Sequence, residues 1–172
     1  MRNLKSKRMD KLEYIPGDLV MTNGVPLGTA KDVVYRVTSS DPSKTLELDD
    51  GTVLKGVVRL ENLEGVEFGD KGYLFGDSCA WVKDIVPIPL TKDILLRNGW
   101  KVSRDSLLLK IDDNVTLGVV FAFEHKVCYI RATNDIIHKE QCFARLKLSD
   151  IDFVSDLQHI LFAFKISQEM EV

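Results

Sequence analysis

The sequence predicts an α+β protein: a small N-terminal antiparallel β-barrel, then an antiparallel sheet with a short linking helix and a C-terminal helix. Three observations predict this class. Short β-branched segments alternate with glycine, proline and aspartate turns, a proline-delimited segment over 86–100 interrupts the pattern, and apolar residues recur at helical spacing near the end. The hydrophobic fraction of 45% and the charged fraction of 28% are typical of a chain that folds.

Charge also divides the chain of 172 residues. Residues 1–11 hold five basic residues and one acidic residue, and we predict a basic flexible arm there. Residues 12–85, the predicted small barrel-like domain, hold seven basic and thirteen acidic residues. Residues 86–172, the predicted α+β domain, are nearly neutral. Because an acidic surface repels phosphate, broad nucleic-acid binding is disfavoured except through the arm.

The first domain is predicted from closely spaced strand patterns. We expect strands over 19–22, 33–39, 45–48, 52–58 and 80–85. Asp41-Pro42 is predicted to turn the chain, and Asp49-Asp50-Gly51 is a strong hairpin signal. Short strands at this spacing, without helical periodicity, favour a small antiparallel barrel.

The linking helix is predicted over 91–98. Two prolines exclude a helix before Leu90, and Thr91 can then cap the first turn. Gly99 follows as a left-handed stop, and Trp100 is placed to fold back onto the apolar face of the helix. We interpret this helix as a clasp between the two parts of the chain.

The second domain is predicted to hold a four-stranded antiparallel meander followed by a helix. We expect its strands over 106–111, 115–123, 127–132 and 141–148. In the last strand, Cys142, Ala144, Leu146 and Leu148 are predicted to share one side. Apolar residues at helical spacing predict a helix over 153–166, with caps offered by Ser149, Asp150 and Asp152.

Three aromatic residues are candidate binding residues. Tyr73 and Phe75 lie in the glycine-flanked segment 72–77, and Trp81 lies in the strand predicted over 80–85. Aromatic loops often bind partners, but the same two loop residues could instead plug one end of the barrel. Both interpretations are compatible with the sequence.

A possible zinc site comprises His125, Cys128, His138 and Cys142, because two imidazoles and two thiolates can complete a tetrahedral site. Both cysteines fall in predicted strands, where a free cysteine usually packs as a small apolar residue. We therefore expect no metal and no cofactor.

No catalytic constellation is evident. The paired carboxylates Asp49-Asp50 and Asp112-Asp113 fall in predicted turns, where aspartate is favoured for backbone reasons, and phosphate-binding glycine motifs are absent. Three widely spaced cysteines indicate a reducing cytoplasm rather than a disulfide framework. No secretion signal or membrane-length apolar run occurs.

The segment 85–100 carries the pattern I-x-P-I-P-L-T-x-x-I-L-x-x-x-G-W. It resembles a family of short uncharacterised bacterial proteins, familiar from gut anaerobes, with an I-x-P-I-P-L-T-x-x-I-L-x-x-x-G-F element. Their C-terminal Y-V-H-Q-L-Q-like helix is similar to residues 153–164, where Ser155 and Asp156 replace the His-Gln pair. The resemblance implies a shared fold and transfers no catalytic residue.

The opening of the chain carries a second resemblance. Gly17-Asp18-Leu19-Val20, Gly28 and the strand pattern over 33–37 look like the start of an SH3-like barrel, as in KOW-type modules. Barrels of this kind bind peptides or nucleic acid, and the acidic balance of this domain favours peptides.

We therefore expect a non-enzymatic cytoplasmic binding or adaptor protein whose partner is another protein or a peptide, without membrane association. One alternative is a nucleic-acid-associated accessory protein of a mobile element that uses the basic arm 1–11. Another is a metalloprotein that uses His125, Cys128, His138 and Cys142. The sequence does not specify an oligomeric state.

Overall fold

The computed structural model describes residues 14–24, 27–28, 31–63, 78–122, 125–133 and 142–172. The chain separates into two compact units, Met1–Val86 and Pro87–Val172. Each unit is built on an antiparallel sheet and helices are few, so the predicted α+β class is confirmed. The predictions for the arm 1–11 and the loop 72–77 fall outside the described residues.

The first unit contains a five-stranded sheet. Its strands are β1 (Leu19–Thr22), β2 (Tyr35–Glu47), β3 (Val53–Asn62), β4 (Ser78–Trp81) and β5 (Ile85–Pro87). Their order in the sheet is β4-β3-β2-β1-β5. Alternate residues of the strands build one apolar core, which includes Tyr14, Val20, Val33, Tyr35, Val37, Val58, Leu60, Ala80 and Ile85.

The described strands of this unit form an open sheet, and they do not confirm the barrel predicted from the sequence. The two edge strands, β4 and β5, are only four and three residues long. Among the residues described, no pairing joins these two edges, which a closed barrel would require.

The turn predicted at Asp41-Pro42 is wrong, because β2 continues through these residues. The ladder between β2 and β3 instead contains a bulge, as Asp41 pairs with Val57 and Thr45 pairs with Lys55. The extra residues of β2 lie opposite Gly56, whose φ is +74°. A bulge accommodates proline because the residue there need not donate to the ladder.

The single strand predicted over 80–85 is also wrong. β4 ends at Trp81, and a one-turn 3-10 helix, Val82–Asp84, separates it from β5. Asn23, next to β1, bonds this helix twice: its Nδ2 donates to Asp84 Oδ1 at 2.8 Å and its N–H donates to the Asp84 carbonyl at 3.0 Å. These bonds hold the helical turn against the end of β1.

The second unit combines a five-stranded antiparallel meander with two helices. Its strands are β6 (Lys101–Ser103), β7 (Ser106–Lys110), β8 (Val115–Phe121), β9 (Lys126–Thr133) and β10 (Cys142–Asp150), and its helices are α1 (Lys92–Arg97) and α2 (Val154–Ala163). The sheet order follows the chain, from β10 to β6. Leu107, Leu117, Val119 and Cys128 are buried on one face of this sheet.

The predicted capping of α1 is confirmed. The Ile94 N–H donates to Thr91 Oγ1 at 3.2 Å, and Gly99 has a φ of +82°. The Trp100 N–H donates to the Leu95 carbonyl at 3.1 Å, and the Trp100 side chain is buried. The helix therefore ends with the cap that its sequence indicates. Its role as a clasp between the two parts of the chain stays a prediction.

The sheet of the second unit has five strands rather than the predicted four. The additional strand, β6, is only three residues long, so its sequence is too short to show an alternating pattern. β10 contains register shifts after Cys142 and after Lys147, and Leu146 is 63% exposed. Ala144 and Leu146 lie in one unbroken register, as a shared side requires, whereas the shifts interrupt the predicted alternation towards Cys142 and Leu148.

Helix α2 is shorter than the predicted 153–166 and is capped differently. Asp156 Oδ2 accepts the N–H groups of Asp152 and Phe153, each at 3.1 Å, so an acidic residue inside the first turn caps the helix. The predicted stripe is buried at Val154, Leu157 and Leu161, whereas Ile160 is half-buried and Phe164 is 37% exposed. The two helices begin side by side, because Pro89 pairs with Phe153 in an antiparallel bridge.

Candidate functional site

The outer end of the β2–β3 hairpin is the most exposed regular segment of the first unit. We call residues 42–53 the tip, and all twelve are exposed. The ladder pairs Leu46 with Leu54 and Glu47 with Val53. The turn closes where the Leu48 N–H donates to the Thr52 carbonyl at 2.9 Å. Backbone pairing, rather than burial of side chains, therefore holds the tip in shape.

Large aliphatic side chains lie at the tip. Leu46, Leu48 and Val53 are 47%, 40% and 60% exposed, whereas Leu54, which pairs with Leu46, is buried. Leu46 and Val53 lie on opposite faces of the hairpin, because Leu46 pairs with Leu54 whereas Val53 pairs with Glu47. Leu46 and Leu48, two residues apart at the end of β2, are therefore the pair of exposed aliphatic side chains that one partner could contact together. The tip thus offers apolar area that a partner could bury.

The tip is acidic, with Glu47, Asp49 and Asp50 against Lys44. The Thr52 N–H donates to Asp50 Oδ1 at 2.8 Å, and this hydrogen bond lowers the pKa of the Asp50 carboxyl group. At the base of the tip, the Ser43 hydroxyl donates to Asp41 Oδ1 at 2.6 Å and lowers the pKa of Asp41. These two carboxylates are therefore ionised at neutral pH, and the tip repels phosphate.

The edges of the hairpin are not suited to adding another strand. β4 pairs with β3 only from Val57 to Leu60, so the part of β3 nearer the tip is not covered by β4. The bulge, Pro42, Lys44 and Lys55 are features that keep natural edge strands from pairing with another chain. A partner would therefore contact the tip through side chains rather than through a backbone ladder.

The three aromatic candidates do not meet at the tip. Tyr73 and Phe75 lie outside the described residues. Trp81 is half-buried on β4, opposite Val57. Val57 is four residues along β3 from Val53, which corresponds to about 13 Å at the rise of a β-strand. Trp81 therefore belongs to the base of the hairpin rather than to its tip.

The four residues considered for zinc do not form one site in the described backbone. Cys142 pairs with Thr133, five residues along β9 from Cys128, or about 17 Å at the rise of a strand. Two ligands of one zinc ion, each bound at about 2.3 Å or less, cannot span that backbone separation. His138 lies outside the described residues, and His125 is exposed.

Cys128 itself has the environment of an inert core residue. Its side chain is fully buried, and burial raises the pKa of its thiol to about 12. A thiol with so high a pKa stays protonated and is a poor nucleophile and metal ligand. In the parts of the chain that the structure describes, no group of three or more His, Cys, Asp or Glu residues could hold a metal ion.

The paired aspartates shape turns, as the sequence indicates. Asp112 Oδ1 accepts the N–H groups of Asn114 and Val115 at 2.7 and 2.8 Å, and Asp113 pairs with Lys110 at 2.7 Å. The Lys110 ammonium lowers the pKa of Asp113. Sequence reasoning recognised these turns but missed the apolar character of the tip, although Leu46 and Leu48 alternate with acidic residues just before the turn.

Comparisons with family models, with curated proteins and with solved structures return no match to this chain. Neither of the helices described has the length and apolar character needed to cross a membrane.

Proposed function

We propose that the protein is a non-enzymatic, cytoplasmic binding or adaptor protein that contacts a protein partner through the tip. The observation that carries this proposal is the exposure of Leu46 and Leu48 at the end of a backbone-paired hairpin. Burying what remains exposed of these two side chains contributes about 1–3 kcal/mol. Association costs at least about 4 kcal/mol, so the partner must also contribute polar contacts.

Charge specifies the kind of partner. The tip carries three acidic residues and one basic residue, so the complementary surface is an apolar cleft bordered by lysine or arginine. A nucleic-acid partner at this surface is disfavoured by like-charge repulsion. A basic protein or peptide with exposed aliphatic or aromatic residues fits both properties of the tip.

We further propose that the first unit is an SH3-like module. The strand order β5-β1-β2-β3-β4 and the 3-10 helix immediately before the last strand support this, because SH3-like barrels share that arrangement. In such a module the β2–β3 hairpin is one of the connections at the rim. A projecting rim hairpin is a suitable position for a protein-binding surface.

The experiment places a photo-crosslinking amino acid at Leu48 in the full chain, in the cells that produce it. Val102, which is 69% exposed in the second unit, is the matched control position. We expect one protein to crosslink at Leu48 and not at Val102. The binding of this protein, once purified, should weaken at least tenfold with Leu46→Ser/Leu48→Ser and stay unchanged with Val102→Ser, with equal melting temperatures for all variants.

Equal crosslinking at both positions, or equal binding by both sets of variants, would overturn the proposal. Substrate turnover by the pure protein would overturn its non-enzymatic part. Salt-sensitive DNA binding that disappears when residues 1–11 are removed would instead support the nucleic-acid alternative.

A further inference from the structure

Residues 166–172, which we call the strap, follow α2 and lie outside any helix or strand. Burial alternates along it. Ile166, Gln168, Met170 and Val172 are half-buried, whereas Ser167, Glu169 and Glu171 are exposed. This two-residue period is that of a β-strand lying on a surface, yet the strap belongs to no sheet. Side chains of α2 and of the α1 cap hold it instead.

Asn98, the residue that ends α1, binds the strap as a neighbouring strand would. Its Nδ2 donates to the Glu171 carbonyl at 2.8 Å, and its Oδ1 accepts the Glu171 N–H at 2.9 Å. The same Nδ2 also donates to the Ile94 carbonyl at 2.7 Å, which fixes the amide on the helix end. One side-chain amide thus pairs with both backbone groups of one strap residue, a contact that recognises extended backbone rather than a particular side chain.

Gln158 provides a second amide. It contacts the strap at Gln168, three residues before Glu171. It is fully buried on α2, and its Nε2 donates to the Gln168 carbonyl at 2.9 Å. A buried amide is costly unless its hydrogen bonds are made, so the strap stabilises Gln158 in its position. We call Asn98 and Gln158 together the clamp.

At its start, the strap is joined to α2 by one backbone bond, in which the Ile166 N–H donates to the Leu161 carbonyl at 2.9 Å. Its other contacts are weak. Arg97 and Glu171 form an ion pair at 3.8 Å, but both side chains are largely exposed, and such pairs contribute little. The apolar side chains of the strap are half-buried rather than enclosed. Lys165, which joins the strap to α2, has a φ of +58°, a left-handed conformation that strains a residue with a Cβ. The strap is therefore held chiefly by the amides and begins at a strained hinge.

We propose that the clamp is a docking site for an extended peptide, that the chain's own strap occupies it in this structure, and that the strap of a second copy can replace it. The strap sequence is seen to fit the clamp, and every copy carries that sequence. Exchange of an identical element across a strained hinge is a common route to dimers. This site lies in the second unit and does not depend on the proposed function of the tip.

The test uses the full chain with Glu171→Pro, which removes the N–H that donates to Asn98 but leaves the clamp intact. The probe is a fluorescent peptide of residues 165–172. We expect it to bind the Glu171→Pro variant at least tenfold more tightly than the wild type, whose own strap competes at high effective concentration. Adding Asn98→Ala should abolish binding, whereas adding Asn114→Ala, an exposed asparagine in the β7–β8 turn, should not.

Two further measurements complete the test. A peptide with proline in place of Glu171 should not bind, because it lacks the recognised N–H. The wild type at high protein concentration should contain a dimer by light scattering, because reciprocal exchange of two straps fills both clamps, while Glu171→Pro stays monomeric. Absence of peptide binding, or binding insensitive to Asn98→Ala, overturns the clamp. Peptide binding without a wild-type dimer at any protein concentration overturns the second copy as occupant and indicates a segment of another protein.

Discussion

Each of the two sheets contains a buried glycine within a strand, but the two glycines meet different physical needs. Gly56 on β3 has a left-handed φ of +74° opposite the β2 bulge. Gly118 on β8 has no such φ, and a Cβ added there would overlap the ring of Tyr129 on β9. In the first sheet, glycine permits a backbone conformation, whereas in the second it provides space for a side chain. Alanine substitution separates these two roles.

Gly118→Ala should be the more damaging substitution. The added Cβ would overlap Cζ, Cε1 and Oη of Tyr129, and this ring is itself buried, so it cannot move away freely. We expect a loss of about 3 kcal/mol in the free energy of unfolding, the upper end of overpacking effects. Urea unfolding of the full chain, followed by circular dichroism, measures this loss.

A double-mutant cycle shows whether space is the cause. Tyr129→Leu removes the three overlapping atoms, so Gly118→Ala should cost about 1 kcal/mol or less in that background, where the two sites couple. An undiminished cost in the Tyr129→Leu background would show that Gly118 is needed for its backbone instead.

Gly56→Ala should cost less, about 2 kcal/mol, because the left-handed conformation penalises a Cβ by about 1–2 kcal/mol. The new Cβ would also lie 2.8 Å from Val82 Cγ2, the end of a half-buried side chain that can shift. In a Val82→Ala background most of the cost should persist, since the backbone strain remains. If Val82→Ala removes the whole cost of Gly56→Ala, then Gly56, like Gly118, is needed because it leaves space for a neighbouring side chain.

The sequence predicts the elements whose causes are local. Thr91, Gly99 and Trp100 lie within ten residues of one another, and their capping bonds form as expected. Asp41-Pro42 has the chemistry of a turn, yet β2 continues because residues of β3 pair on both sides of the bulge. Asp84 accepts a hydrogen bond from Asn23, 61 positions away, and no local sequence pattern predicts that bond.

The candidate sites also combine features with local causes, which the sequence predicts, and features with distant causes, which it does not. The turn at Asp49-Asp50-Gly51 is evident from the sequence. The exposure of Leu46 is not evident, because exposure depends on whether distant parts of the chain pack against the hairpin. The clamp joins Asn98 to Glu171 across 73 positions. An asparagine that ends a helix has the same sequence signature whether or not it also binds a strap.

Two cysteines, one in each sheet, extend the comparison. Cys79 on β4 is exposed, whereas Cys128 on β9 is buried and its pKa is raised to about 12 from its ordinary 9.0. The protonated thiol is favoured in the folded state, so its contribution to stability is complete below pH 9 and is lost as the pH rises from 9 to 12. From pH 8 to 10 we expect Cys128 to account for a loss of about 1 kcal/mol.

The measurement is urea unfolding at pH 8 and pH 10 for the wild type, Cys128→Ala and Cys79→Ala. Other groups titrate in this range, so the prediction concerns the difference between variants. The loss between the two pH values should be smaller by about 1 kcal/mol in Cys128→Ala and unchanged in Cys79→Ala. Equal losses in all three proteins would mean that water reaches the Cys128 thiol in the folded protein, so that burial does not raise its pKa.

The residue types that adopt a left-handed backbone conformation also differ between the two units. In the first unit, those described are all glycines: Gly17, Gly24, Gly28, Gly51 and Gly56. The second unit has Gly99, but it also places Arg104 and Lys165 at φ values of 53° and 58°. The second unit therefore retains a strain that glycine would relieve.

Lys165→Gly should give the smallest effect of this series, and one of opposite sign. Relief of left-handed strain returns about 1–2 kcal/mol, while the extra freedom of glycine in the unfolded chain costs about 0.5–1 kcal/mol. A net gain of about 0.5 kcal/mol corresponds to roughly 1–2 °C in melting temperature. Lys165→Ala is the control and should give no gain, because it keeps the Cβ. Gly51→Ala, at an open position in the first unit, should show the reverse and lose about 1 kcal/mol. If Lys165→Gly destabilises the protein instead, the Lys165 side chain makes a contact that outweighs its strain.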